Sequence, residues 1–367
     1  IHNVNRLVHY GWKKEAIPIT QLKKSILARF FDVIFDWFLL FLETLVVLRS
    51  AKFLSITIAM QTIYQKTVSR QINFKGIGLH SGNKSNITVL PAQENQGIVF
   101  KRIDLKHNNL IKANYKNVTS AKLCTTLENE HGVKVSTVEH LLAAFYASGI
   151  DNAIVEIDNE EVPIMDGSAK NFLDILNDIE IKTLTKKRKY LKILNKIELI
   201  DGERKISIEP NNSFFEVNFQ LNYENKIIGK QKNSINFHSD NLKEVIESRT
   251  FCLFEDIEKI KKLGLAKGGS LNNAVVVEKD KVLNEEGLRN KKEFVNHKIL
   301  DLAGDFLLSG FRILGKVDCY QGGHELTNMF LRKLLKSNSA YVLIELDEMI
   351  NTKKIVPDQE AKIAVNA

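Results

Sequence analysis

Cysteine is scarce. The 367-residue chain has three, Cys124, Cys252 and Cys319, far apart and with no CxxC pair. That spacing excludes a disulfide framework and a cysteine-based zinc knuckle, and it fits a reducing, cytoplasmic setting. A long uncharged apolar run is also missing. The best candidate for a membrane span, residues 30–48 (FFDVIFDWFLLFLETLVVL), is interrupted by Asp32, Asp36 and Glu43. Each acid costs about 2.5–3.5 kcal/mol near a bilayer centre. Their spacings of four and seven put all three on one helical face, the pattern of an amphipathic surface helix. No signal-peptide cleavage pattern follows. Charge of one sign does not dominate either. The net charge is +8, and residues 1–59, with eight Lys/Arg against four Asp/Glu, supply +4 of it. The mildly basic remainder suits an anionic small molecule or a membrane surface and argues against nucleic acid as a partner.

Residues 1–59 read as foreign to the rest, because Met60 stands immediately before ordinary domain sequence. The first expectation is translated upstream sequence, non-native or disordered. The second is a membrane-associating amphipathic helix, and the third a transmembrane anchor. Beyond residue 59 the length suffices for two domains with real cores. TIYQKTVSRQINF reads as one strand, GIGLHSG as a glycine-rich turn, and KSNITVLPA and QGIVFKRIDL as strands. Residues 136–148 read as a helix, with Ser136 as N-cap and Glu139 completing a capping box. NAIVEI is a buried strand, and PIMDGSAKNFLDIL a turn entering a helix. The basic, polar KTLTKKRKY marks a boundary near residue 186. The second half repeats the style, with a DG hairpin, a helix around SDNLKEVIESRTF, a strand–helix–turn–strand unit over 251–278 and a helix in NKKEFVNHKILDLAGDFLLSG. The strand ILGKVDCY, the turn QGGHE, a helix LTNMFLRKLLK and a last strand AYVLIEL complete it. Two similar α+β units follow, over 60–186 and 187–367.

The chemistry is concentrated in a few places. In HKILDLAGD, His297, Asp301 and Asp305 are spaced by four and form one stripe of a helix. A His/Asp pair one turn apart can supply two ligands to one metal ion. Such pairs are commonly surface hydrogen-bonded pairs, but the apolar flanks here bury the stripe, and buried charges need partners or a metal. A catalytic zinc takes three protein ligands and keeps an open position. His140, in STVEHLL, is the candidate third ligand, and the adjacent Glu139 offers a general base beside it. The ordinary alternatives are the capping box for Glu139 and a satisfied half-buried histidine for His140. His324, in QGGHELTN, follows two glycines on a loop and could donate a proton to a leaving group; a capping or surface role is its alternative. His80, in the tight turn GIGLHSG, reads as structural. His2, His9, His107, His131 and His238 lie in polar, foreign or turn surroundings.

Eight stretches, in the order GIGLHSG, STVEHLLAA, DNAIVEI, PIMDGSA, SRTF, GGS, HKILDLAGD and GGHELTN, closely resemble the zinc-dependent UDP-3-O-acyl-N-acetylglucosamine deacetylase family of lipid A biosynthesis. The resemblance runs over residues 62–346 and spans both halves. It implies two similar α+β domains, each a sheet layered with helices, packed helix layer to helix layer, with a βαβ insert at about 251–278 forming an acyl passage. His140, His297 and Asp301 would hold one Zn2+ per chain, with Fe2+ as the alternative ion. Glu139 would be the general base, and His324 the cationic partner that stabilises the oxyanion and protonates the amine. Asp305 would orient His324, and Thr250 would help bind the oxyanion. Lys298 would contact the sugar or diphosphate, Phe251 would begin the insert, and Cys124 would lie near the metal without ligating it. Two departures from the family pattern stand out: Cys252-Leu253 where Gly-Phe is frequent, and Gly322 where serine is frequent.

The resemblance further implies a monomer in the cytoplasm of a Gram-negative bacterium, acting on a UDP-linked acylated N-acetylglucosamine, with peripheral contact to the inner-membrane surface. The competing readings are a zinc amidohydrolase for another N-acetylated sugar and a non-catalytic basic protein of membrane surfaces. The second of these predicts no metal.

Overall fold

The computed structural model describes residues 63–211 and 214–346. The amphipathic stretch expected over 30–48, and with it the whole of 1–59, lies outside the described residues.

Two five-stranded sheets share one plan. In the first the strand order is Ile72–Ile77, Lys84–Pro91, Ala153–Ile157, Ile98–Arg102, Leu110–Lys112. Neighbours are antiparallel except Ala153–Ile157 and Ile98–Arg102, which are parallel. In the second the order is Ile197–Asp201, Arg204–Glu209, Lys316–Tyr320, Glu216–Asn222, Lys230–Asn236, again with a single parallel pair between the third and fourth. In both, the strand made last is inserted in the middle of the sheet. Strand Lys84–Pro91 shows why one face turns inward: Ser85, Ile87 and Val89 are buried in alternation with more exposed neighbours.

The helices occupy matching places around those inserted strands. Helix α1 (Glu139–Ser148) precedes the inserted strand of the first sheet, and α2 (Lys170–Asn177) follows it. A four-residue turn, α3 (Lys243–Ile246), and α4 (Phe254–Lys262) come next. Helix α5 (Glu293–Leu307) precedes the inserted strand of the second sheet, and α6 (His324–Lys336) follows it. Helix α5 lies on strands Glu216–Asn222 and Lys230–Asn236, and α6 on Ile197–Asp201 and Arg204–Glu209. Helices α1 and α5 pack directly on each other. The layers therefore run sheet, helices, helices, sheet, the α+β architecture expected. Every residue of α5 except Lys298 is buried, as a helix sandwiched between layers must be.

Gly304 sets how closely the two central helices approach. A Cβ at this position would collide with the carbonyl oxygen of Glu139. Glycine weakens a helix interior, so its presence in LAGD marks the crossing point with α1.

The insert has the expected form. Strands Phe251–Leu253 and Val275–Glu278 are parallel, joined by α4, and Lys281–Val282 adds an antiparallel edge.

Several local expectations are corrected. TIYQKTVSRQINF is two strands, Tyr64–Val68 and Ile72–Ile77, in different sheets. The basic stretch read as a boundary falls in two strands, Ile181–Lys187, paired antiparallel with Tyr64–Val68, and Lys189–Ile193 in another sheet. The helix expected around 239–251 is only α3, because residues 251–253 already belong to a strand. ILGKVDCY breaks at Gly315 into Arg312–Leu314 and Lys316–Tyr320, again in different sheets. Among the described residues, no helix is long and apolar enough to cross a membrane.

Candidate active site

The site forms where α1, α5 and the first turn of α6 meet. Glu139 and His140 open α1. Their entry is shaped by Thr137, a β-branched residue at φ 57°, an unfavourable conformation held by the hydrogen bond from its Oγ1 to Glu161 (2.9 Å). The expected capping box is absent. The residue before α1 is Val138, with no side-chain cap, and the Ser136 hydroxyl donates to the Glu160 carbonyl. Glu139 turns inward, where its Oε2 accepts from the Thr125 N–H at 3.0 Å. Its side chain is thereby held toward the cluster and not toward its own helix end.

The three expected ligands converge. Nε2 of His297 lies 3.3 Å, and Nε2 of His140 3.5 Å, from Oδ1 of Asp301. The two rings stand edge to face with centroids 5.1 Å apart. One donor atom from each of the three residues lies within 4.8 Å of the others. Donors at about 2.0–2.1 Å around a tetrahedral ion are themselves roughly 3.3 Å apart, so these separations fit a divalent metal. Asp301 Oδ1 supplies the independent test. It is buried without a hydrogen-bond partner, an arrangement a carboxylate does not sustain unless something else satisfies it. His297 is pre-oriented: its Nδ1 lies 3.0 Å from the Ser248 carbonyl, so Nδ1–H donates there and Nε2 presents its lone pair to the cluster. Burial pushes the His297 imidazole down to about 3, with His140 and Lys298 adding to the effect against Asp301. The ring is neutral, the form that binds metal.

The segment that carries Ser248 is itself locked. The Arg249 side chain is fully buried and its Nε lies 2.8 Å from Glu293 in the first turn of α5. Arg249 also pairs with Glu286.

His324 completes the cluster from the first residue of α6, not from a loop as its glycine neighbours had suggested. Its Nδ1 lies 2.8 Å from Oδ2 of Asp305. Its Nε2 stands 3.7 Å from Oε1 of Glu139 and 3.8 Å from Oδ2 of Asp301. Burial works to lower its pKa, but Asp305, Glu139 and Asp301 together raise it to about 10. The ring is therefore an imidazolium at neutral pH. Burial lifts the Glu139 carboxyl above its ordinary range, against the pull of His324 and His140. Burial opposes ionisation of Asp301, but its neighbours, Lys298 and His324 among them, outweigh it and hold the carboxyl well below the usual range. All six side chains, Glu139, His140, His297, Asp301, Asp305 and His324, are at most 7% exposed. Charges shielded from water in this way interact strongly.

The remaining expected residues border this centre. Lys298 Nζ lies 2.9 Å from Oδ2 of Asp301 and 5.6 Å from the centre of the Phe251 ring. Phe251 stands 6.4 Å, centroid to centroid, from His297. Thr250 and Phe251 line an apolar cavity of about 360 Å³ beneath the insert, together with Cys252, Leu123, Ile257 and His80. Cys252, one of the two departures, thus faces the cavity. At Gly322, the other, a Cβ would meet Sγ of Cys319, so a side chain there requires that thiol to turn. Cys124 is close to Glu139 but outside the ligand group. Burial, and next the Glu139 charge, push its thiol up to about 12.

Sequence reasoning missed Thr125. Its N–H holds Glu139, and its Oγ1 donates to Oδ1 of Asp305 at 2.7 Å. One residue therefore ties the candidate base to the carboxylate that orients His324. Its only sequence signal was adjacency to Cys124.

Comparison with known proteins points to one family. A family model described as UDP-3-O-acyl N-acetylglycosamine deacetylase matches residues 65–336. The chain is 40% identical over 298 residues to the UDP-3-O-acyl-N-acetylglucosamine deacetylase of Pasteurella multocida (strain Pm70), covering 80% of this chain and 96% of that relative. It is 40% identical over 289 residues to the protein of the same name from Shewanella sp. (strain W3-18-1), covering 78% and 94%. To that of Idiomarina loihiensis it is 41% identical over 289 residues, with the same coverage.

Proposed function

Because the chain belongs to the UDP-3-O-acyl N-acetylglycosamine deacetylase family, we propose that it removes the N-acetyl group of UDP-3-O-acyl-N-acetylglucosamine, with one zinc ion held by His140, His297 and Asp301. The products are acetate and UDP-3-O-acyl-glucosamine, and the step belongs to lipid A biosynthesis. The observation that carries the reading is the pairing of Glu139 with His324 across the ligand cluster, Oε1 to Nε2 at 3.7 Å. A base and an acid thus face one reacting centre.

When bound, the ion supplies a Lewis acid for the amide carbonyl and lowers the pKa of water to roughly 7. The rest falls to the protein. Oε2 of Glu139 is engaged by Thr125, so Oε1 is the oxygen that takes the proton of the attacking water. Negative charge then develops on the former carbonyl oxygen, where the imidazolium of His324 and the Thr250 hydroxyl stabilise it. The C–N bond breaks only if nitrogen is protonated, because an amide anion is too basic to leave. His324 Nε2–H supplies that proton, and Asp305 on Nδ1 keeps the ring turned and charged. Lys298, anchored on Asp301, is placed to meet the sugar or diphosphate, and the cavity under the insert receives the acyl chain.

We assign the two halves, 60–186 and 187–367, as the two domains of a monomeric enzyme, working in the cytoplasm with peripheral contact to the inner-membrane surface. The test is metal analysis of the purified full chain joined to acetate release from the acylated UDP-sugar. About one zinc per chain is expected, and none when His140 and His297 are both alanine. Iron in its place would revise the ion, and no metal would overturn the mechanism. Equal rates on acylated and unacylated UDP-N-acetylglucosamine would favour another N-acetylated sugar as the substrate.

A further inference from the structure

His80 is positioned with care and then left without partners. The turn that carries it is closed by hydrogen bonds from Gly78 N–H to the Asn83 carbonyl (2.9 Å) and from Gly82 N–H to the Gly78 carbonyl (3.0 Å). The N–H groups of His80 and Ser81 each donate to the Glu161 carboxylate at 2.8 Å. The His80 carbonyl accepts from Lys267 of the insert. The N–H and the carbonyl of His80 are therefore both paired. The imidazole is not: it is 9% exposed, and neither Nδ1 nor Nε2 has a hydrogen-bond partner. Buried polar atoms are nearly always paired, so an imidazole with two unpaired nitrogens points to a group that arrives from outside, met by a small turn of the ring.

The surroundings say what that group is. The ring is part of the wall of the 360 Å³ cavity, which is otherwise mainly apolar. It shares that wall with Thr250 and Phe251. The charge of His324 reaches it, and Thr250, in the same wall, follows two residues after the carbonyl that orients His297. Burial, with His324, lowers its pKa against the pull of Glu161. The ring is thus neutral, with one N–H to give.

This inference rests on the deacetylase reading above. In that substrate the acyl ester on C3 is adjacent to the acetamide on C2. With the acetamide at the reactive centre, the ester carbonyl is the first polar group to enter the cavity. We propose that His80 is a specificity-determining residue whose ring N–H donates to the carbonyl oxygen of the 3-O-acyl ester, so that the enzyme recognises the linkage as well as the chain.

The experiment compares two substrates of equal chain length on the full-length, metal-loaded protein. One is UDP-N-acetylglucosamine with a fatty acyl ester at O3, and the other carries the matching alkyl ether, which lacks the carbonyl. The readout is the ratio of their kcat/KM values. The unaltered chain is expected to favour the ester, and His80→Leu to lower the ratio by about tenfold, the scale of one hydrogen bond. His80→Gln, which keeps an N–H donor, should restore part of it. Metal content and thermal midpoint, measured on each variant, confirm that the fold persists. A packing role would lower both rates together and leave the ratio unmoved, and an unmoved ratio in both variants overturns the assignment. Failure of the unaltered chain to release acetate from the ester substrate would instead overturn the deacetylase reading, and the role of His80 with it.

Discussion

Glu139 shows what a single residue can hide. Three positions after Ser136 it has the spacing of a capping box, yet its carboxylate points into the site and binds Thr125 N–H. Local spacing could not distinguish the two uses, because both place an acid in the first turn of a helix. Replacing Glu139 with alanine should leave the metal bound and lower kcat at least ~100-fold, the scale of general acid–base catalysis. Near-normal turnover in steady-state assays would assign the base elsewhere. Thr125 presents the opposite case: nothing around it in LCTTL is periodic or charged, and its role depends on contacts to residues 14 and 180 positions away. Thr125→Val keeps the backbone donor to Glu139 and removes the hydroxyl on Asp305. We expect unchanged metal content and a kcat about tenfold lower, as His324 loses one support. The three candidate ligands, by contrast, were legible, since His297 and Asp301 share a helical stripe and His140 sits beside an acid on an apolar helix.

At the level of elements, α5 was readable because fifteen residues carry a sustained apolar pattern and a known spacing of polar groups. The strands broken at Ser69 and Gly315 were not, because a change of sheet leaves composition untouched. Gly304 offers a direct test of the helix crossing. In an exposed helix Gly→Ala stabilises by about 1 kcal/mol. Here the added methyl meets the Glu139 carbonyl and must drive α1 from α5. Gly304→Ala should therefore destabilise by about 1–3 kcal/mol, measured by denaturant unfolding, and weaken metal retention in competition with a chelator. A stabilised variant would show that the helices have room to spare.

Across the whole molecule, the repeated strand order escaped the sequence because the halves share topology and not residues. What joins them at the far end of α1 is a cationic cluster. Arg312 donates to the Phe145, Tyr146 and Ile150 carbonyls, and Arg188 pairs with Asp151 at 2.7 Å. Lys66 is buried beside both. Burial, then Arg188, and also Arg312, lower its pKa to about 8, with Asp151 opposing. Since the folded value lies below the unfolded one, protonation of Lys66 opposes folding. The penalty is complete below pH 8 and fades as pH rises toward the ordinary lysine value. Lys66→Met should therefore stabilise the protein at pH 7 by roughly 1–2 kcal/mol, and the gain should shrink toward zero near pH 10 in paired chemical melts. A gain independent of pH would trace the effect to packing alone.

The candidate centre draws one proposed ligand from α1 and two from α5, and its proposed proton donor from the start of α6. A ribosome that has released α1 has produced a base and a lone imidazole with nothing to act upon. The set is complete only once residue 324 has emerged and joined it. On the proposed reading, a nascent or prematurely terminated chain ending before that point would lack its proton donor, whatever share of its sheets has already formed.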